Sequence, residues 1–138
     1  MKILHPFGGR AEYGLRVDVN TNAGPMVLAD AHLLPFLGES FDVVILDPPY
    51  SDNHSWQLYK TGQLHFKKYS SEAVRVLKPQ GFLVMYHIFS MPRPPGCRLR
   101  ARLLVETRVN HLARVVHINQ KDNTRQLELI KQRSEGER

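Results

Sequence analysis

The chain has 138 residues, a length that suits one domain, and its 42% apolar content is enough to fill a core. No stretch is long and apolar enough to span a bilayer, which excludes a membrane-spanning role through a helix. Its 19 Lys and Arg against 13 Asp and Glu give a formal charge of +6 and a pI near 9.7, which favours a polyanionic partner such as nucleic acid. The segment Met1–His5 is too short for a signal peptide, and the single Cys97 excludes an internal disulfide. Both point to a reducing, cytoplasmic setting.

In chain order, short apolar runs bounded by Gly, Pro and Asp predict buried parallel strands at 2–5, 15–19, 27–29, 42–46 and 82–87. Between the last two, Phe66, Tyr69, Ala73, Val76 and Leu77 recur at helical spacing and predict a helix over 66–77 that ends before Pro79 and a glycine turn. Alternating segments at 100–107 and 113–120 flank Arg108-Val109-Asn110-His111 and read as an antiparallel hairpin. Residues 1–122 therefore read as one α/β domain, and the polar stretch 123–138 as a tail that starts as a short helix and frays.

The turn Asp47-Pro48-Pro49-Tyr50 follows the apolar run Phe41–Leu46, at the carboxyl end of a strand, where open α/β sheets bind ligands. An exocyclic amine on adenine or cytosine is a poor nucleophile because its lone pair is delocalised into the ring. Two acceptors around the amine, the Asp47 carboxylate and the Pro48 carbonyl, would draw its hydrogens out of plane. Consecutive prolines restrict where that carbonyl points. Tyr50 would stack on the ring, as flipped bases are held against aromatic side chains.

This turn resembles the Asp-Pro-Pro-Tyr signature of the amino-methyltransferases that modify nucleic-acid bases with S-adenosylmethionine. Four further segments are similar, in order, to the wider family of Rossmann-like methyltransferases. They are Leu4-His5-Pro6-Phe7-Gly8-Gly9, Gly14–Asp18, Leu28–Phe36 followed by Phe41-Asp42, and Glu72–Val84. The resemblance implies a mostly parallel Rossmann-like sheet with a C-terminal antiparallel hairpin, and S-adenosylmethionine as cofactor. It further implies that Phe7, Gly8 and Gly9 approach the cofactor's methionine part, that Asp18 holds its ribose, and that Asp30 and Ala31 meet its adenine. Asp47, Pro48, Pro49 and Tyr50 would form the catalytic turn. The pattern departs from the family in two ways: His5 stands where the family has an acid, and only nine positions separate Gly9 from Asp18. A parallel crossover needs about a dozen residues, so the first crossover helix is expected to be missing or reduced.

Candidate substrate contacts follow the turn: Trp56, Tyr59 and Lys60 combine stacking faces with charge, and Arg93 in the loop 90–100 is a candidate phosphate contact. The seven histidines form no pair at metal-ligand spacing, so no metal is expected, and His87 and His117 read as strand histidines. The reading is an amino-methyltransferase acting on adenine or cytosine in DNA or RNA. The alternative is a non-catalytic or partner-dependent relative that binds nucleic acid or an active methyltransferase subunit. A homodimer completing the thinned cofactor region is a further expectation.

Overall fold

The computed structural model describes residues 1–49, 64–106 and 113–137. Seven strands form one sheet: β1 (Ile3–His5), β2 (Leu15–Asp18), β3 (Val27–Leu28), β4 (Phe41–Leu46), β5 (Leu77–His87), β6 (Cys97–Glu106) and β7 (Ala113–Lys121). Their order is β3-β2-β1-β4-β5-β7-β6. The first five pair in parallel, and β7 enters antiparallel to both β5 and β6. This mixed sheet is the one expected from the chain's apolar runs.

Helix α1 (Phe66–Val76) packs on β5. Its inward residues Tyr69, Ala73 and Val76 join Leu4, Val44, Leu46, Leu83 and Met85 in the core. These strand residues alternate with Val43, Ile45, Val84 and Tyr86, which point to the opposite face and are only half-buried. The central strands are thus apolar on both faces, the pattern of a parallel sheet, but the dense core lies on the α1 side. A second helix, α2 (Thr124–Gly136), runs through the polar C-terminal stretch. It continues to Gly136 where a short, fraying helix was expected.

The connection from β1 to β2 spans only residues 6–14 and contains no helix among its described residues, as the short spacing required. The next, residues 19–26, holds a single 3₁₀ turn at Thr21–Ala23. The turn expected after the helix lies inside β5, where the register with β4 shifts between Leu77 and Phe82, and its left-handed residue is Gln80, at φ 65°, not a glycine. There the helix ends one residue early, because Leu77 already pairs with Phe41 of β4.

A side-chain network fastens α1 to the segment before β4. The Arg75 guanidinium donates to the carbonyls of Leu34 (3.0 Å) and Phe36 (2.8 Å) and to the Glu72 carboxylate (2.8 Å). The Leu34 N–H in turn donates to Glu72 at 2.8 Å. At the far end of β4, Asp42 accepts from the Lys2 N–H and the Lys78 ammonium, which places it away from the ligand-binding end.

Candidate active site

Parallel strands β1, β2 and β4 all end on the same edge, so their terminal residues converge there. Two cavities open along that edge, and Phe7 borders both. The first, of about 290 Å³, is lined by Pro6, Phe7, Asp18, Val19, Ala29, Asp30, Ala31, His32, Leu64, His65 and Lys68. The second, of about 480 Å³, runs past Gly8, Gly9 and Arg10 to Asp47, Pro48 and Pro49, with His5, Tyr86 and Arg114 in its wall.

The glycine loop is held by β2. The Gly8 N–H donates to the Val17 carbonyl at 2.9 Å. Asp18, nearly fully buried, accepts the Gly9 N–H at 3.1 Å on one oxygen and the Asn20 N–H at 2.9 Å on the other. The Arg16 guanidinium donates to the Gly9 carbonyl at 3.0 Å. Both ends of residue 9 are thus clamped by side chains from one strand, where a longer crossover would use a helix. Gly8 serves this packing directly, since a Cβ there would meet Arg16 Cβ at 2.8 Å and the His5 carbonyl at 3.0 Å. Gly9 has φ 46° and open space around it, so its freedom is conformational.

Asp30 is half-exposed and forms an Asx-type turn with His32. Its Oδ1 accepts the His32 N–H at 2.8 Å and the His32 ring Nδ1–H at 2.6 Å. The other ring nitrogen, Nε2, accepts the His65 N–H at 2.9 Å, a pair of contacts that matches the tautomer with its proton on Nδ1. Burial opposes ionisation of Asp30, but the hydrogen bonds from His32 outweigh it and hold the carboxyl below its ordinary range. His65 is also the residue that precedes α1, so one imidazole links the Asp30 turn to the start of that helix.

Asp47 follows β4, with Pro48 and Pro49 buried behind it. Its carboxylate lies 3.6 Å from the Arg114 guanidinium. His5 carries no negative charge to the cavity; burial lowers its pKa, partly offset by Asp47. Its Nε2 is buried and meets no hydrogen-bond partner among the described residues, and Tyr13 packs edge-on against its ring.

Phe7, Gly8, Gly9, Asp18, Asp30, Ala31, Asp47, Pro48 and Pro49 therefore come together along one edge. Arg93 does not join them, because its guanidinium donates to the Cys97 carbonyl at 2.7 Å and lines neither cavity. Tyr50, Trp56, Tyr59 and Lys60 lie outside the described residues. His32, Tyr86 and Arg114 were not singled out from the sequence. His32 sits two residues after an acid that begins a turn, a readable hint. Arg114 gave no signal, since only the antiparallel register brings it here.

No protein-family profile matches the sequence, and no curated protein does. Solved structures do match it. The 1,6-didemethyltoxoflavin-N1-methyltransferase of Burkholderia thailandensis, solved with 1,6-didemethyltoxoflavin and S-adenosylhomocysteine bound, superposes with a TM-score of 0.62. It is 12% identical, over 88% of this chain and 71% of that one. The chain has the fold of the Rossmann-like methyltransferases. The N-methyltransferase NodS of Bradyrhizobium japonicum superposes with a TM-score of 0.56 at 12% identity, over 88% of this chain and 86% of its own. A structure of the Haloferax volcanii Trm112 methyltransferase activator, in complex with a protein assigned as a methyltransferase, matches with a TM-score of 0.57. There the identity is 13%, over 88% of this chain and 81% of that one.

Proposed function

We propose that the chain is an S-adenosylmethionine-dependent amino-methyltransferase whose acceptor is an exocyclic amine, adenine or cytosine in nucleic acid. The observation that carries this reading is the placement of the Asp47-Pro48-Pro49 turn in the same cavity as the Gly8-Gly9 loop, beside the cavity that holds Asp18 and Asp30.

The residues present fit the cofactor. Asp18 and Asp30 offer carboxylates to hydroxyl and amine donors, and Phe7, Val19, Ala29 and Ala31 offer apolar walls to an adenine ring. In this reading Asp30 and Ala31 meet the adenine, Asp18 the ribose, and Gly8 and Gly9 the methionine part. When bound, the cofactor supplies an electrophilic methyl group on a sulfonium. Asp47 accepts one hydrogen of the acceptor amine and the Pro48 carbonyl the other, which frees the nitrogen lone pair for in-line attack. A nitrogen–carbon bond forms as the sulfur–carbon bond breaks, and the surplus amine proton then leaves to solvent. Tyr50 stacks on the ring. Catalysis is by positioning and aimed dipoles.

The net charge of +6 supports a nucleic-acid acceptor, with Trp56, Tyr59, Lys60 and Arg93 as its outer contacts. The test is transfer of labelled methyl from S-adenosylmethionine to single- and double-stranded DNA and RNA. Incorporation that Asp47→Ala abolishes supports the reading; incorporation that survives Asp47→Ala removes the turn from the chemistry.

A second reading, that the chain works only with a partner subunit or a second copy, is favoured by the nine-residue β1–β2 connection and by the Haloferax volcanii neighbour, a complex with an activator. Activity that appears only on adding such a subunit decides for it.

A further inference from the structure

We propose that His32 is a positioning residue that ties Asp30 to the start of helix α1, so that cofactor bound at Asp30 orders the first turn of that helix. This inference rests on the cofactor reading of Asp30 above and assigns the residue that couples that site to the helix.

The 290 Å³ cavity is lined from two distant parts of the chain. Asp30 and His32 lie on the turn after β3, whereas Leu64, His65 and Lys68 lie at the start of α1. His32 spans the two, 33 positions from His65. Its backbone N–H and its ring Nδ1 both meet Asp30 Oδ1, at 2.8 and 2.6 Å, and its Nε2 accepts the His65 N–H at 2.9 Å. These contacts occupy one oxygen of the acid. Among the described residues nothing bonds Asp30 Oδ2, and the side chain is 53% exposed, so the second oxygen is left for a ligand donor.

Helix α1 begins without an anchor of its own. His65 is its N-cap, in extended backbone at φ −106° and ψ 101°, and its side chain makes no capping hydrogen bond. The first turn carries no acid to complement the helix dipole. The His65 carbonyl takes the Lys68 and Tyr69 N–H groups at 3.0 and 3.1 Å, so whatever fixes residue 65 fixes that turn. Among the described residues, the side chain that holds the His65 N–H is His32. Tyr69 extends the link inward: its ring packs edge-on against His32 and against Phe7, which borders both cavities. A donor on Asp30 Oδ2 thus fixes a carboxylate whose other oxygen holds His32, and His32 holds residue 65. The coupling is reciprocal: a ligand that orders the helix start binds more weakly once that start is cut loose.

The experiment uses S-adenosylhomocysteine as ligand and separates the two ends of the imidazole. His32→Asn puts an amide at the Nδ1 position, which still donates to Asp30 but does not reach His65. His32→Gln puts an amide oxygen at the Nε2 position, which still accepts from His65. Calorimetry measures affinity, circular dichroism checks that each variant is folded, and hydrogen exchange at the Lys68 and Tyr69 amides measures the order of the first turn, free and at saturating ligand. In the wild type the ligand is expected to slow exchange at both amides. His32→Asn is expected to lower affinity at least about fivefold, the lower end of ordinary coupling between sites, and to abolish the ligand-induced slowing. His32→Gln is expected to retain the slowing. A merely structural role speeds exchange in free and bound protein alike and leaves the ligand-induced slowing intact in His32→Asn, which overturns the proposal. Loss of the slowing in both variants also overturns it, because the bond to His65 is then not what matters. A wild type that binds ligand with no slowing at either amide overturns it without recourse to a variant. Failure of the underlying reading looks different: the folded wild type then binds no S-adenosylhomocysteine, and the proposal falls with it.

Discussion

The Asp18 carboxylate accepts the Gly9 N–H at 3.1 Å, so the acid at the end of β2 builds the glycine loop as well as facing the first cavity. Its other oxygen takes the Asn20 N–H at 2.9 Å, and the residue is buried. Hydrogen bonds to a charged group contribute about 1.5–3 kcal/mol each. Asp18→Ala removes both and is therefore expected to cost about 3–6 kcal/mol of stability in urea unfolding, in addition to any loss of cofactor affinity. Unchanged stability would confine Asp18 to ligand contact.

The two glycines of the loop are predicted to respond differently to the same substitution. Gly8→Ala forces a methyl group against Arg16 and the His5 carbonyl, contacts of 2.8 and 3.0 Å that involve side-chain base and backbone. Overpacking of this kind costs about 1–3 kcal/mol. Gly9→Ala meets open space and pays only for φ 46°, about 1–2 kcal/mol, because left-handed backbone disfavours a Cβ. Chemical denaturation of the two variants measures the difference. Cofactor affinity should fall more in Gly8→Ala, where the loop itself must shift.

Much of the fold can be read from the chain. The apolar runs at Phe41–Leu46 and Phe82–His87 are hydrophobic on both faces, which only a buried parallel strand requires. The short spacing between Gly9 and Asp18 leaves no room for a helix, and none is present among the described residues there. What replaces it was not legible. The clamp of Arg16 and Asp18 on residue 9 depends on β2 lying parallel beside β1, with His5 opposite Arg16, and no local pattern encodes that register. Arg114 is hidden for the same reason: its neighbourhood is made by antiparallel pairing across the sheet. Arg93 is likewise placed by tertiary structure, its guanidinium donating to the Cys97 carbonyl at the entry to β6, a contact no local pattern announces.

Stability should fall between pH 7 and pH 5. His117 is fully buried, its Nε2 accepts the Met91 N–H at 2.9 Å, and its Nδ1 lies 3.3 Å from the Met85 carbonyl. Burial pushes its pKa down, and the same cause lowers His5 and His87. The unfolded chain then binds more protons than the folded one between the ordinary histidine value and the lowered one. The stabilisation is fully present above the ordinary value and is lost as pH falls toward the lowered one. Urea midpoints at several pH values measure the slope, and His117→Gln is expected to flatten it. A midpoint independent of pH over this range would remove the buried-histidine contribution.

The Arg75 network should be worth more than a surface ion pair, because the guanidinium also serves two backbone carbonyls. Arg75→Ala leaves the carbonyls of Leu34 and Phe36 without this donor and is expected to cost about 1–3 kcal/mol. Arg75→Lys, a single point charge in place of a planar fork, should recover only part of it. Hydrogen exchange in the segment before β4 measures the loosening directly.

The measurement that tests the central claim most directly is calorimetric titration of S-adenosylmethionine and S-adenosylhomocysteine into the wild type and Asp30→Ala. Asp30 is the better probe of the two acids, since among the described residues its half-exposed side chain bonds only its own local turn, whereas Asp18 also holds the loop. The account predicts saturable one-site binding to the wild type that weakens at least about tenfold in Asp30→Ala, the loss of one hydrogen bond to a charged group. No binding of either ligand to the folded wild type, or equal binding to both proteins, would contradict it.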